Sequence, residues 1–86
     1  EGWNRRATLR YLLGDFEGSI ADIDETLARE PRHFGALAGL GLVNIQLGKD
    51  EQALDAFERA LVVNPQMDGP RVNAEFLRKK LEDGQI

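Results

Sequence analysis

The chain has 86 residues, enough for one small domain near the size at which burial of apolar surface barely offsets chain entropy. Hydrophobic residues make up 42% and charged residues 30%, which indicates a soluble globular protein, and no apolar run approaches the roughly 18 residues that span a bilayer. The absence of cysteine excludes disulfides and thiolate metal sites, and the net charge of −4 argues against nucleic acid as a partner.

The first predicted helix runs from about Trp3 to Leu13. Its apolar residues recur at helical spacing and should face the core: Trp3, Ala7, Leu9 and Leu13. Arg6 and Arg10 interrupt this pattern, and charged residues are rarely buried without partners. We therefore expect this edge to face water or a polar neighbour and the helix stack to start near here. The alternative is that the arginine stems lie along apolar surface.

The second predicted helix runs from about Phe16 to Glu30, after a turn at Gly14 and Asp15. Its apolar face is formed by Phe16, Ile20, Ile23 and Leu27. Its other face, predicted to be solvated, carries Asp22, Asp24, Glu25 and Arg29. The acidic residues lack the glycine and the twelfth-position glutamate of a calcium loop, and a helical backbone cannot wrap an ion. No metal site is expected here.

Two further helices are predicted between Phe34 and Pro65. Their apolar residues are Leu37, Leu40, Val43 and Leu47 in one, and Ala53, Leu54, Phe57, Ala60 and Leu61 in the other. Gly48 between them can adopt the left-handed conformation that ends a helix, and Asp50 is predicted to cap the amides that open the next. Pro65 ends the fourth helix.

The fifth predicted helix begins at about Pro70, a residue well suited to a first turn, and ends at about Glu82. The residues Ala74, Leu77 and Leu81 form a stripe that can pack on the preceding helix pair. Arg71, Glu75 and Arg78 are charged where another pair would have to dock. This pattern predicts a terminal capping helix with a polar outer face.

The sequence repeats itself at a spacing of 34 residues. The matching pairs are Leu9 and Val43, Leu13 and Leu47, Gly14 and Gly48, Ile20 and Leu54, Leu27 and Leu61, and Pro31 and Pro65. A fixed period of about 34 residues with two helices per period is typical of a helical repeat array.

At these residues the chain resembles the tetratricopeptide repeat family. The second copy matches the family pattern at Gly41, Gly48, Ala53, Leu54, Phe57, Ala60, Leu61 and Pro65. The first copy matches it at Trp3, Ala7, Gly14, Phe16, Ile20, Leu27 and Pro31. The first copy departs from the pattern at Ser19 and Thr26, where alanine is usual, and at Arg6 and Arg10, where large apolar residues are usual.

The resemblance implies an all-α fold: a right-handed superhelical array of antiparallel helix hairpins, with five helices in one domain over residues 1–86. The first repeat is placed at about residues 1–33, the second at about 34–67 and the capping helix at about 70–83. Gly41 matches the position at which the two helices of a repeat approach most closely, and Ser19 occupies a close-contact position in the first hairpin. Because an array needs roughly three repeats for a continuous core, we expect a piece of a longer protein or stabilisation by a partner; the start at Glu1 rather than methionine favours the former.

The resemblance also implies a binding groove on the concave side, lined by the first helix of each pair. By position, its residues would be Asn4, Arg5, Thr8, Tyr11, Leu12, Ala38, Leu42, Ile45, Gln46, Val72, Phe76, Lys79 and Lys80. Leu42, Ile45 and Phe76 have no evident core to enter, and a contiguous exposed apolar patch usually marks an interaction site. Gly35 and Gly39 lie near this face. Their lack of a side chain could let a ligand approach the backbone; the alternative is that they are there only for helix packing.

Charge is distributed unevenly along the chain. Residues 1–13 and residues 70–82 each carry a net charge of +2, whereas residues 15–30 carry −5. We infer a groove with an apolar floor and basic ends, suited to a peptide or helix with an apolar face and acidic flanks. The alternative is that the outer helices are charged only to keep the chain soluble.

The sequence therefore predicts a protein–protein interaction module that binds a partner peptide or helix in this groove. The alternative is a homodimer with a structural role, in which two copies bury each other's apolar grooves. His33 lies in a turn with no cysteine or evident serine nucleophile, and the chain has no phosphate-binding glycine loop between a strand and a helix. We expect neither enzymatic activity nor a cofactor nor a bound metal, and nothing in the sequence identifies the compartment.

Overall fold

The computed structural model describes the backbone of residues 2–83 and the side chains of residues 5–83. This part of the chain forms five helices and no strand. The helices are α1 (Gly2–Leu12), α2 (Phe16–Arg29), α3 (Phe34–Gln46), α4 (Asp50–Val63) and α5 (Asp68–Asp83). The bounds predicted for the first, second and fifth helices agree with these to within two residues, and the all-α prediction is confirmed.

Consecutive helices pack against each other as two hairpins followed by one helix. The first hairpin pairs α1 with α2, the second pairs α3 with α4, α3 packs on α2, and α5 packs back on α4. One apolar cluster joins the two hairpins and contains the buried residues Ala7, Ile23, Ala36 and Val43. A second cluster joins the second hairpin to α5 and contains Ala53, Phe57, Ala74 and Leu77. The apolar stripe predicted for α5 thus packs on the preceding hairpin through Ala74 and Leu77.

Both hairpins turn at a glycine with positive φ. Gly14 has a φ of 84° and Gly48 a φ of 75°, values at which other residues are strained. Asp15 then caps α2, because the backbone N–H of Gly18 donates to its Oδ1 at 3.0 Å. The equivalent residue before α4 is Lys49, which makes no side-chain cap hydrogen bond.

The predicted cap at Asp50 is therefore wrong, because this residue already lies in the first turn of α4. The carboxylate of Asp50 instead forms an ion pair with Lys80, whose Nζ lies 2.9 Å from Oδ2 of Asp50. His33, expected to be a solvated turn residue, proves to be the cap of α3. The N–H of Ala36 donates to its Nδ1 at 3.0 Å, and the side chain is half-buried.

The helices of each hairpin approach closely where their side chains are small. A Cβ added to Gly41 would stand 2.5–2.7 Å from ring atoms of Phe57, closer than any real packing contact. In the first hairpin, the buried Oγ of Ser19 donates a hydrogen bond to the carbonyl of Ala7 at 2.7 Å. Both residues therefore serve close packing, as predicted.

Three expectations about the core of the first hairpin are wrong. Leu9 and Leu13 were predicted to be buried but are exposed, because no helix within residues 2–83 covers this side of the C-terminal end of α1. Asp22 was predicted to be solvated but is buried, because it lies on the face of α2 that also carries the buried Ser19 and Thr26. The side chain of Trp3, also predicted to face the core, lies outside the described residues.

Replacing Gly41 by alanine should lower the free energy of unfolding by about 1–2 kcal/mol. Overpacking against the buried ring of Phe57 lowers the stability by up to about 3 kcal/mol, and the higher helix propensity of alanine offsets about 1 kcal/mol of this loss. Urea denaturation of the variant and the unmodified chain measures the difference.

The matched control is Gly39→Ala, on the same helix. A Cβ there would meet Ile23 Cδ1 at 3.8 Å, an ordinary contact, so this variant should gain up to about 1 kcal/mol. Equal effects of the two substitutions would contradict the close contact between Gly41 and Phe57.

Candidate functional site

An apolar cleft lies between α1 and α3 and opens to solvent. The α1 side contributes Thr8, Tyr11 and Leu12; the α3 side contributes Gly35, Gly39 and Leu42; and its floor is formed by Ala7, Ser19, Ile23 and Val43. The cleft has a volume of about 240 Å³. Gly35 and Gly39 are four residues apart and so lie on one face of α3, where their missing side chains leave this space.

Four of the predicted groove residues meet at this cleft: Thr8, Tyr11, Leu12 and Leu42. The ring of Tyr11 packs at an angle on Phe16 of α2, with the ring centroids 5.7 Å apart, which fixes its position at the edge of the cleft. Gly35 and Gly39, which the sequence placed near the groove face without counting them among its lining residues, are also part of the cleft.

The remaining predicted residues of α3 and α5 do not line the cleft. On α3, Ala38 is half-buried and Gln46 is exposed. On α5, the exposed residues are Val72, Phe76, Lys79 and Lys80. The side chain of Asn4 lies outside the described residues.

Ile45 was expected to have no core to enter, and this expectation is wrong. It is half-buried and packs against the second apolar cluster, which includes Phe57, Ala74 and Leu77. The cluster that partly buries Ile45 is formed by residues of α4 and α5. Ile45 therefore contributes to the fold more than to an open surface.

Two arginines of α1, Arg6 and Arg10, are held by the buried carboxylate of Asp22. Arg6 donates to Asp22 from Nε at 3.0 Å and from Nη2 at 2.8 Å, and Arg10 Nη1 lies 3.5 Å from the same carboxylate. The side chain of Asp22 is only 3% exposed. Asp22 is thus the polar neighbour that the two arginines require.

The hydrogen bonds from Arg6 hold the pKa of Asp22 below its ordinary value of 3.8. Burial acts in the opposite direction, and the positive charges of Arg10 and Arg6 reinforce the lowering. The same interaction raises the pKa of Arg6. Asp22 is therefore ionised at neutral pH despite its burial.

Other cations counted toward the basic ends of the groove are also paired. Lys80 pairs with Asp50, Arg78 Nη2 lies 3.0 Å from Glu58, and Arg71 Nη2 lies 2.8 Å from Asp68. Arg5 on α1 and Lys79 on α5 have no ion-pair partner among residues 5–83. The positive charge available near the predicted groove is therefore smaller than a count along each helix indicates.

Within the described residues, no three His, Asp or Glu side chains are placed to hold a metal ion together. None of the five helices combines the length and the apolar character needed to cross a membrane.

The arrangement of helix hairpins at a 34-residue period defines a helical repeat protein. The family model described as tetratricopeptide repeat matches residues 4–68. A TPR repeat-containing protein of Rhizobium etli is 41% identical over 81 residues, which cover 94% of this chain. The chain spans 40% of the length of that relative.

The chain belongs to the tetratricopeptide repeat family. Proteins of this family generally mediate protein–protein interactions and are generally non-catalytic scaffolds.

Replacing Asp22 by asparagine should destabilise the chain at pH 7, because Arg6 and Arg10 lose their shared carboxylate. In the folded chain the pKa of Asp22 is lowered, so its contribution to stability is complete above its ordinary pKa and is lost as the pH falls through the folded value. The stability difference between the two proteins should therefore be constant from pH 7 to about pH 5 and shrink in stronger acid. Urea denaturation between pH 7 and pH 2 measures it.

Asp24→Asn is the matched control, because Asp24 lies on the same helix and is exposed. This variant should stay within about 0.5 kcal/mol of the unmodified chain. A difference for Asp22→Asn that does not change on acidification would contradict the lowered pKa.

Proposed function

We propose that the chain is a protein-interaction module and that its cleft between α1 and α3 receives an apolar side chain of a partner peptide or helix. The observation that carries the proposal is an open apolar cleft at the position where the predicted groove residues of two repeats meet. A cavity of about 150 Å³ is enough for a benzene ring. A cleft of about 240 Å³ therefore has room for one aromatic or branched aliphatic side chain.

The exposed apolar residues at the rim of the cleft support the proposal that a partner binds here. Leu12 is 73% exposed and Leu42 is 41% exposed, and they border the same cleft from α1 and α3. Large apolar side chains that border one concavity lose unfavourable hydration when a partner covers them. Val72 and Phe76 on α5 are also exposed and would give a longer partner a second apolar contact.

The proposed charge of the partner follows from two cations on the helices that carry predicted groove residues. Arg5 and Lys79 lie on the first and the last helix and have no ion-pair partner among residues 5–83. Carboxylates flanking the apolar anchor of the partner would be attracted to them. This attraction raises the association rate and fixes the position of the partner in the groove more than it increases the affinity. The proposed partner is therefore a segment with an apolar anchor and acidic flanks.

Peptides selected by phage display against the chain test this proposal. The selected sequences should share an aromatic or branched apolar residue with Asp or Glu on at least one side. Binding of a labelled selected peptide, measured by fluorescence polarisation, should weaken at least about tenfold for Leu42→Glu, because a buried anchor would meet a charge.

Val62→Glu is the matched control, because it adds the same charge at an exposed apolar residue of α4, outside the cleft. Selected peptides that bind Leu42→Glu as tightly as the unmodified chain would contradict the proposal. Peptides without a shared apolar residue would do the same.

The electrostatic part of the proposal has its own test. The affinity of an acidic-flanked peptide should fall with rising salt concentration, and Arg5→Gln with Lys79→Gln should remove much of this salt dependence. Arg59→Gln, an exposed position on α4, should leave it unchanged. A salt dependence that survives the double substitution would contradict the assignment of Arg5 and Lys79.

Analytical ultracentrifugation separates partner binding from self-association. The proposal predicts a monomer at concentrations where the peptide binds. A dimer that dissociates on Leu42→Glu would instead favour mutual burial of the clefts of two copies.

A further inference from the structure

A second pocket lies between α3 and α4, on the opposite side of α3 from the cleft. Its lining residues are Leu40 and Asn44 of α3 and Glu51, Gln52 and Asp55 of α4. The pocket opens widely to solvent and has a volume of about 480 Å³. Leu42 borders the cleft, and Asn44 is two residues further along α3, which turns it about 200° away around the helix. The two concavities are therefore separate surfaces.

Asn44 points a nearly buried amide into this pocket. The residue is only 5% exposed. Its side chain makes no hydrogen bond among residues 5–83. Among the same residues, no fully buried side-chain polar atom lacks a partner, so the amide must reach solvent, and the pocket is the opening that it borders. The amide therefore offers its hydrogen-bonding groups to an occupant of the pocket.

Two carboxylates at the mouth of the pocket are also unpaired. Glu51 and Asp55 are exposed, and neither has an ion-pair partner among residues 5–83. They are four residues apart on α4, so they lie on the same face and their charges repel each other. A cation bound between them would remove this repulsion.

The first hairpin holds a guanidinium at the corresponding place. By the 34-residue spacing, Asn44 corresponds to Arg10 and Gln52 to Gly18. Arg10 Nη1 donates to the carbonyl of Gly18 at 3.4 Å and lies 3.5 Å from the carboxylate of Asp22. The shorter side chain of Asn44 leaves the corresponding space in the second hairpin open.

The acceptors in the second hairpin suit a guanidinium as well. Ala56 follows Asp22 by 34 residues and carries no charge, but the carboxylates of Glu51 and Asp55 border the pocket instead. A guanidinium has five N–H donors in one plane, so it can donate to several acceptors on different sides at once. Two carboxylates and the side-chain oxygen of Asn44 are such a set of acceptors.

We propose that this pocket binds an arginine side chain of a partner protein. The guanidinium would pair with Glu51 and Asp55 and donate to the side-chain oxygen of Asn44, while its methylene stem contacts Leu40. Because the mouth of the pocket is open, the backbone of the partner can stay outside it. This inference does not depend on the proposed function, because the cleft lies on the other side of α3.

Titration of the ¹⁵N-labelled chain with a blocked pentapeptide, which has arginine at the centre of four glycines, tests the proposal. The signals of the Asn44 side-chain amide and of the backbone amides of Glu51 and Asp55 should shift and saturate. A peptide with citrulline in place of arginine keeps the shape without the charge, and it should bind at least about tenfold more weakly. A lysine peptide should also bind more weakly, because an ammonium lacks the planar set of donors.

The carboxylates are tested by Glu51→Gln combined with Asp55→Asn, which should weaken binding of the arginine peptide at least about tenfold. Glu17→Gln combined with Asp24→Asn is the matched control. It removes the same charge at exposed positions of α2, outside the pocket, and should change the affinity by less than about twofold, because solvent and salt screen distant charges. Equal effects of the two double variants would overturn the proposal, and so would equal binding of the arginine and citrulline peptides.

Asn44→Arg is a further variant, in which the chain supplies its own guanidinium as Arg10 does in the first hairpin. This side chain should fill the pocket and abolish binding of the arginine peptide. A folded Asn44→Arg chain that binds the peptide with unchanged affinity would overturn the proposal.

The same titration distinguishes the other occupants. Free arginine that binds more tightly than the peptide would assign the pocket to a small molecule. Calcium chloride that saturates the same signals at a lower concentration than the peptide would assign it to a metal ion. Either result would overturn the assignment to a partner protein. Leu42→Glu in the cleft should leave binding of the arginine peptide unchanged, so the two proposals fail separately.

Discussion

The structure depends on how closely the two helices of each hairpin approach. In the second hairpin, Gly41 lies against the ring of Phe57 with no room for even a methyl group. The first hairpin has a close contact of its own between Ala7 and Ser19, whose hydroxyl also satisfies the buried carbonyl of Ala7. These contacts fix each hairpin as a unit, so that α2 can pack on α3 and leave the cleft open between α1 and α3. A larger residue at any of these positions would separate the helices that shape the cleft.

The sequence predicted the helices and turns well because the signals for them are local. The apolar spacing, the glycines at the turns and the 34-residue period each depend on residues close in the chain, and Gly14 and Gly48 adopt the expected positive φ. Apolar spacing alone does not say which face meets another helix. For this reason Leu9 and Leu13 were assigned to the core although the described residues leave them uncovered.

Asp22 shows where reasoning from neighbouring residues fails. It stands among Asp24 and Glu25, which are solvated, but it shares its face of α2 with Ser19 and Thr26 at helical spacing. Its partners lie on another helix, and so do those of Lys80 and Arg78. Net charge counted helix by helix therefore overstated the basic ends of the groove. Likewise Ile45 was assigned to the groove because the packing of α5 depends on contacts distant in sequence.

One face of α1 borders the open apolar cleft, and an exposed leucine pair, Leu9 and Leu13, lies near its C-terminal end on another. The central claim is that the cleft receives the apolar anchor of a partner. Intermolecular nuclear Overhauser effects between a bound selected peptide and the methyl-labelled chain measure this directly. We expect contacts from the anchor of the peptide to the methyl groups of Leu12 and Leu42. Contacts confined to methyl groups outside the cleft, such as those of Val62, would contradict it.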